Sequence, residues 1–182
     1  MRIVTSAVRF YLVLFGLALF WIYFQQRLNW RLFFHPAPKY LLLDLLLGVG
    51  MALCIIILSR FASQNFLWGQ LLEKEFRQVL TPLNFKEILA ISGMSGFVEE
   101  LFFRGALQPM IGIIPCSLLF GVVHFVPKRE FVPWSFYAIF AGFALGSLYE
   151  ISRDLCPSIV AHVLVNLVLI VTLNRQQAAQ AA

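Results

Sequence analysis

The sequence predicts an all-α fold: a polytopic membrane helix bundle of about six transmembrane helices plus an interfacial amphipathic helix. Three observations lead there. First, 60% of the 182 residues are hydrophobic and only 13% are charged, too little polar surface for a soluble domain of this length. Second, apolar runs of membrane-spanning length recur along the chain between short polar segments, and the mean hydropathy is +0.83. Third, Glu99, Glu100 and Arg104 sit inside one of those runs. A charge at mid-membrane costs roughly 2.5–3.5 kcal/mol on insertion scales, so such charges mark function by default.

The first apolar segment runs from about Val8 to Phe24 behind Arg2 and Arg9. It is long for a signal-peptide core and no A-x-A-like site follows, so it reads as an uncleaved span. Gln25 to Lys39 is a polar loop with Arg27, Arg31, His35 and two prolines. Tyr40 to Ser59 is the second span, with Asp44 near its start. Between Arg60 and Asn84, Leu67, Leu71, Leu72, Phe76 and Leu80 recur at helical spacing among Lys74, Glu75, Arg77 and Gln78. This pattern suits a helix lying in the interface or a connector packed on the bundle.

The third span, about Phe85 to Leu107, carries the three charges and ends at Gln108-Pro109. The fourth, about Ile111 to Val126, stops at Pro127. The fifth, about Trp134 to Ile151, spaces Ala138, Gly142 and Gly146 four apart, which lets helix backbones approach closely. The sixth runs from about Pro157 to Leu173. The segment 174–182 reads as a frayed tail. The chain thus divides into residues 1–84, two spans plus the interfacial helix, and residues 85–173, a four-helix core, within one integrated membrane domain. Six spans place both termini on one side. With the N terminus inside, Arg2, Arg9, Arg60, Lys74, Arg77, Lys86, Lys128, Arg129 and Arg175 are inner, nine cations against the four outer ones Arg27, Arg31, Lys39 and Arg153. The positive-inside rule therefore puts both termini in the cytoplasm, with the cell (inner) membrane as the location.

The net charge of +5 is scattered, with no basic run for nucleic acid. The expected partners are the lipid bilayer and a hydrophobic or membrane-anchored peptide or protein. Cys54, Cys116 and Cys156 form no metal-binding spacing and read as packing residues.

Spacing sorts the polar residues within the spans. Glu100 and Arg104 are i and i+4, share a face and can pair. Glu99 lies about 100° round the helix and faces another neighbour. A carboxylate in that position suits a general base or acid, and a pure charge network is the alternative. Phe120 and His124 share a face. His162 and Asn166 are again i and i+4, and two converging donors can hold a developing oxyanion or simply join helices. Asp44 and Glu150 lie near span ends, where they can reach the interface. Ser92, Ser95 and Cys116 have no base at helical spacing to make them nucleophiles.

The strings Glu99-Glu100-x-x-x-Arg104, Phe120-x-x-x-His124 and His162-x-x-x-Asn166 resemble the three motifs of the CPBP (CAAX protease and bacteriocin-processing) intramembrane proteases, the Abi family of the Ras-converting CAAX prenyl endopeptidase. The neighbouring strings Arg104-Gly105-Ala106-Leu107-Gln108 and Pro157-Ser158-Ile159-Val160-Ala161-His162 strengthen the likeness, which covers roughly Ile88 to Leu169. The resemblance implies an intramembrane endopeptidase. Glu99, assisted by His124, would activate a water. His162 and Asn166 would stabilise the oxyanion. Glu100, Arg104 and Phe120 would support them. No cofactor is favoured. The rival is a zinc ion held by Glu99, His124 and His162. A non-catalytic immunity or regulatory module and a proton-coupled carrier are the alternatives from other classes, the latter unsupported by any internal repeat.

One expectation conflicts with another. His124 falls near the end of the fourth span and His162 near the start of the sixth, and the two spans run the same way. At about 1.5 Å per residue their depths differ by over ten ångströms. Convergence therefore needs a tilted, broken or re-entrant span, or different boundaries.

Overall fold

A computed structural model describes residues 2–35 and 37–181. The chain is α-helical, with no strand among the described residues. The helices are α1 (Arg2–Phe24), α2 (Pro38–Asn65), α3 (Leu67–Leu80), α4 (Phe85–Glu100), α5 (Gln108–Ile111), α6 (Ile113–Val123), α7 (Val132–Ser152) and α8 (Cys156–Ala181). Four described helical stretches are long and apolar enough to cross a membrane: Val4–Phe24, Lys39–Asn65, Arg129–Ser152 and Cys156–Gln180. Their outward faces are apolar, with Phe10, Leu12, Val13, Phe20, Leu42, Leu46, Ile57 and Phe136 exposed. That is the surface expected where the surroundings are hydrocarbon.

The third predicted span is longer than expected and changes pitch. A capping box starts it: Asn84 accepts from the Glu87 N–H and Glu87 accepts from the Asn84 N–H. Leu101–Leu107 is then π-helical, with the Gln108 N–H bonded to the Phe103 carbonyl, and α5 continues it to Ile111. The wider pitch leaves carbonyls that need partners inside the bundle. Arg27 Nη1 donates to Gly105 O at 3.1 Å, Gln25 Nε2 to Ala106 O at 2.9 Å, and Cys116 Sγ to Phe103 O at 3.3 Å. The loop after α1 thus has a structural task that composition did not reveal.

The fourth predicted span is shorter than expected. Gly112, at φ +81°, opens α6, a conformation that favours glycine. His124 then leaves helical geometry at φ −90°, ψ 2°. Eleven residues rise about 16 Å, roughly half a bilayer core. The short helix leaves His124 half-buried at its end, 3.6 Å from Glu99, with Val122, Val123 and Phe125 exposed around it.

Helix–helix contacts follow the small residues. A Cβ on Gly96 would lie 2.7 Å from Val163 N, so α4 packs directly against α8. One on Gly142 would lie 3.1 Å from Ser117 Cα, so α7 packs directly against α6. Ala52 and Ile55 of α2 share a core with Leu145 and Leu148 of α7 and Ala161 and Val165 of α8. Ala18 and Ile22 of α1 pack on Leu101, Ala106 and Leu155. Helix α3 buries Leu72, exposes Leu67, Trp68 and Leu71, and meets the start of α7 through Phe76 against Phe131 and Trp134.

Two expectations need correction. Asp44 is buried, at 3% exposure, instead of reaching an interface. The segment expected to fray continues α8 to Ala181, in keeping with its alanine and glutamine content. Asn174 pins it to the loop before α4, accepting from Leu83 N at 2.9 Å and donating to Leu83 O at 2.8 Å. Ala182 lies outside the described residues.

Candidate active site

The two glutamates at the end of α4 have separate surroundings. Glu100 is completely buried. Its Oε2 lies 3.2 Å from Arg104 Nε, and its Oε1 accepts from His162 Nδ1 at 2.8 Å. Arg104 also donates from Nη2 to Gly142 O at 3.0 Å, and its guanidinium carbon lies 4.8 Å from the Phe120 ring centroid. Opposite charges, a carbonyl and an aromatic face together offset the cost of burying the guanidinium. Four helices, α4, α6, α7 and α8, and the π-segment meet at this pair.

Glu99 faces the other way, as the helical offset requires. Its Oε1 accepts a hydrogen bond from the Tyr11 hydroxyl of α1 at 2.6 Å. Its Oε2 is buried without a hydrogen bond among the described residues. That oxygen lies 3.6 Å from His124 Nε2 and 4.0 Å from His162 Nε2. Both imidazoles are held through their other nitrogen. His124 Nδ1 lies 2.6 Å from Phe120 O, and a carbonyl only accepts, so Nδ1 carries the proton. His162 Nδ1 likewise faces the Glu100 carboxylate. Each ring therefore turns Nε2 toward the same carboxylate oxygen. The Phe120 ring sits between them, 4.5 Å from the His124 centroid and 6.0 Å from that of His162.

Asn166 lines a cavity with His162 and has one partner that its spacing did not indicate. Its Nδ2 donates to Ser95 Oγ at 2.8 Å, so one amide hydrogen is committed to α4. An amide nitrogen carries two hydrogens, and the second is available to the space beside it. That space is a cavity of about 960 Å³. Tyr11, Ser95, Glu99, Phe120, His124, His162 and Asn166 form its polar end. Leu72, Phe76, Phe140, Leu145, Val165 and Leu169 are among the apolar residues that line the rest. The structure thus brings all seven sequence-predicted residues into one neighbourhood.

Sequence reasoning missed three relationships. Tyr11 carries no motif, and its hydroxyl, like that of Tyr23, was one of few polar groups in the first span. Ser95 was weighed only as a nucleophile, and it serves as a hydrogen-bond partner of Asn166. The Glu100–His162 bond joins residues 62 positions apart and has no periodic signature.

A family model described as type II CAAX prenyl endopeptidase Rce1-like matches residues 81–168. That stretch holds Glu99, Glu100, Arg104, Phe120, His124, His162 and Asn166, and leaves α1 and α2 outside. The uncharacterized protein YpbD of Bacillus subtilis (strain 168) is 29% identical over 128 residues, 66% of this chain. The match spans 64% of that relative's length. No solved structure matches. With its long apolar helices, the chain is an integral membrane protein.

Proposed function

We propose that the protein is an intramembrane endopeptidase that hydrolyses a peptide bond of a hydrophobic or membrane-tethered substrate through a glutamate-activated water, a reading supported by the match of residues 81–168 to the Rce1-like family model. One observation carries this reading: a buried carboxylate oxygen, Glu99 Oε2, faces two imidazole Nε2 atoms on the wall of a largely apolar cavity.

The chemistry follows from donors and acceptors. A separation of 3.6 Å is too long for a direct hydrogen bond, and both atoms face the cavity, where one water can reach each of them after a small side-chain adjustment. Glu99 Oε2 and His124 Nε2 are both acceptors, so a water between them gives one hydrogen to each and keeps its lone pairs for attack. The water oxygen adds to the scissile carbonyl carbon as Glu99 takes the proton. The oxyanion then needs donors. His162 supplies Nε2–H when its ring carries both protons, with Glu100 at Nδ1. Asn166 supplies its second amide hydrogen. Collapse of the tetrahedral intermediate breaks the C–N bond. The proton held by Glu99 passes to the leaving nitrogen, giving a new carboxylate and an amine. Glu100, Arg104 and Phe120 hold the two histidines and the helix in place. Cys116 Sγ donates to a backbone carbonyl and has no base beside it, which speaks against a thiolate route.

Glu99, His124 and His162 are also the candidate zinc ligands. Among the described residues no group of three histidine, cysteine, aspartate or glutamate side chains is spaced to hold a metal ion, so no step is routed through one. The cation distribution supports both termini lying in the cytoplasm of a cell with this protein in its inner membrane.

The test compares membrane peptidomes of cells carrying wild-type protein or Glu99→Gln at equal abundance. The expected result is loss of a discrete set of cleavage products in the variant. Full retention of those products would remove Glu99 from the mechanism. A cellular phenotype that survives both Glu99→Ala and His124→Ala would point to a non-catalytic binding module.

A further inference from the structure

We propose that Tyr11, on a helix outside the matched segment, is a positioning residue that makes Glu99 Oε2 the reacting oxygen of this site. The proposal rests on the peptidase reading above and adds a residue to it. A carboxylate has two equivalent oxygens, and rotation about its bond exchanges them. Here the exchange is blocked on one side. The Tyr11 hydroxyl donates to Oε1 at 2.6 Å, a short bond for an O–H donor to a carboxylate. Ser95 lines the same cavity as Tyr11 and Glu99, receives the Asn166 amide and donates to Ser92 O at 3.2 Å. Tyr11 therefore holds Glu99 from α1 on its own bond.

Among the described residues, Tyr11 is the one that hydrogen-bonds Glu99 Oε1. Glu100 and Arg104, on the continuous helix of Glu99, engage each other. His124 of α6 and His162 of α8 both face Oε2. Tyr11 is the residue that α1 contributes, and it bonds the carboxylate oxygen that the imidazoles do not face. Tying Oε1 draws electron density to that oxygen's hydrogen bond and leaves Oε2 aimed at the space between the two rings. A catalytic group displaced by about 1 Å loses roughly 100-fold in rate. A carboxylate free to rotate would spend time with neither oxygen in register with His124.

Tyr11→Phe removes the hydroxyl and keeps the ring. Two measurements on purified protein test it. The first is infrared difference spectroscopy, with Glu99 bands isolated by subtracting the Glu99→Gln spectrum in wild-type and Tyr11→Phe backgrounds. Unequal hydrogen bonding of the two oxygens sets the separation of the carboxyl bands, so the bands shift in Tyr11→Phe. Unchanged bands overturn the proposal. This measurement needs no turnover, so it decides the Tyr11–Glu99 tether even if the peptidase reading fails. The second is steady-state cleavage of a peptide found in the peptidome comparison. The expectation is kcat lower by roughly 100-fold with KM within about twofold. Wild-type kcat in Tyr11→Phe overturns the positioning role and leaves the peptidase reading intact.

Discussion

Glu100 receives a hydrogen bond from His162 Nδ1 at 2.8 Å while its other carboxylate oxygen faces Arg104 Nε at 3.2 Å. A residue that spacing assigned to a helix-internal ion pair thus also orients an imidazole of the reacting site. Glu100→Gln separates the two tasks. The amide keeps the size, loses the charge opposite Arg104, and offers His162 a weaker acceptor. A buried guanidinium without its counter-ion costs about 3–5 kcal/mol. The expected outcome is a large loss of thermal stability in detergent together with at least a tenfold fall in cleavage of an identified peptide. Wild-type stability would show that Gly142 O and Phe120 suffice for Arg104.

Chelation separates the water-glutamate route from its zinc rival. After incubation with 1,10-phenanthroline and dialysis, cleavage should persist within about twofold, because the route uses only protein groups. Loss of activity restored by zinc would establish Glu99, His124 and His162 as ligands in place of base and assistants.

The close approach of α4 to α8 holds Glu99 and Glu100 against His162. A methyl group on Gly96 would lie 2.5 Å from Val163 Cγ2 and 2.7 Å from Val163 N. Gly93, one turn earlier, has nothing within 4 Å of the same added atom. Gly96→Ala should cost about 1–3 kcal/mol and reduce cleavage, and Gly93→Ala should do neither. Thermal melts of both variants in one detergent check the contrast.

Asp154, in the turn between α7 and α8, gives a pH prediction. Burial raises its carboxyl from 3.8 to about 6, reinforced by the Asp44 charge, against the lowering effect of the Cys156 N–H and His35. Asp154 Oδ1 accepts from Cys156 N at 2.9 Å. The folded state binds this proton more tightly than the unfolded state, so the site disfavours folding as pH rises through about 4 to 6 and most at higher pH. Asparagine keeps the acceptor and cannot ionise. Asp154→Asn should therefore be more stable than wild type by about 2 kcal/mol at pH 8 and nearly equal at pH 4. A difference independent of pH would assign the effect to something other than ionisation.

Much of the site was legible because helical spacing is local. Glu100 with Arg104, Phe120 with His124, and the offset of Glu99 all follow from 3.6 residues per turn. The bundle itself was legible from hydropathy, since lipid admits few alternatives to helices. What lay hidden depends on which helices touch. Tyr11 meets Glu99 across 88 positions, and Asn166 meets Ser95 across 71. Apolar composition could not mark where α6 stops either. Val122, Val123, Phe125 and Val126 read as one run, yet the helix ends before His124, and Val122, Val123 and Phe125 lie exposed beside it.

The π-helical turn at Leu101–Leu107 also makes chain length a gauge. Ahead of it, Glu100 addresses α8 through His162. Beyond it, Gln108 addresses α7, donating to Gly146 O and Glu150 Oε1, each at 3.0 Å. The two halves of one continuous helix are thus held in a fixed phase by the number of residues between them. Removing a single residue from the turn would rotate everything downstream by about 100° relative to everything upstream. Arg104 and the buried Leu101, Phe103 and Ala106 fix the side chains of the turn as well as their number. The constraint on this stretch is also one of counting, and insertions or deletions there should be less tolerated than substitutions at its two half-buried positions, Phe102 and Leu107.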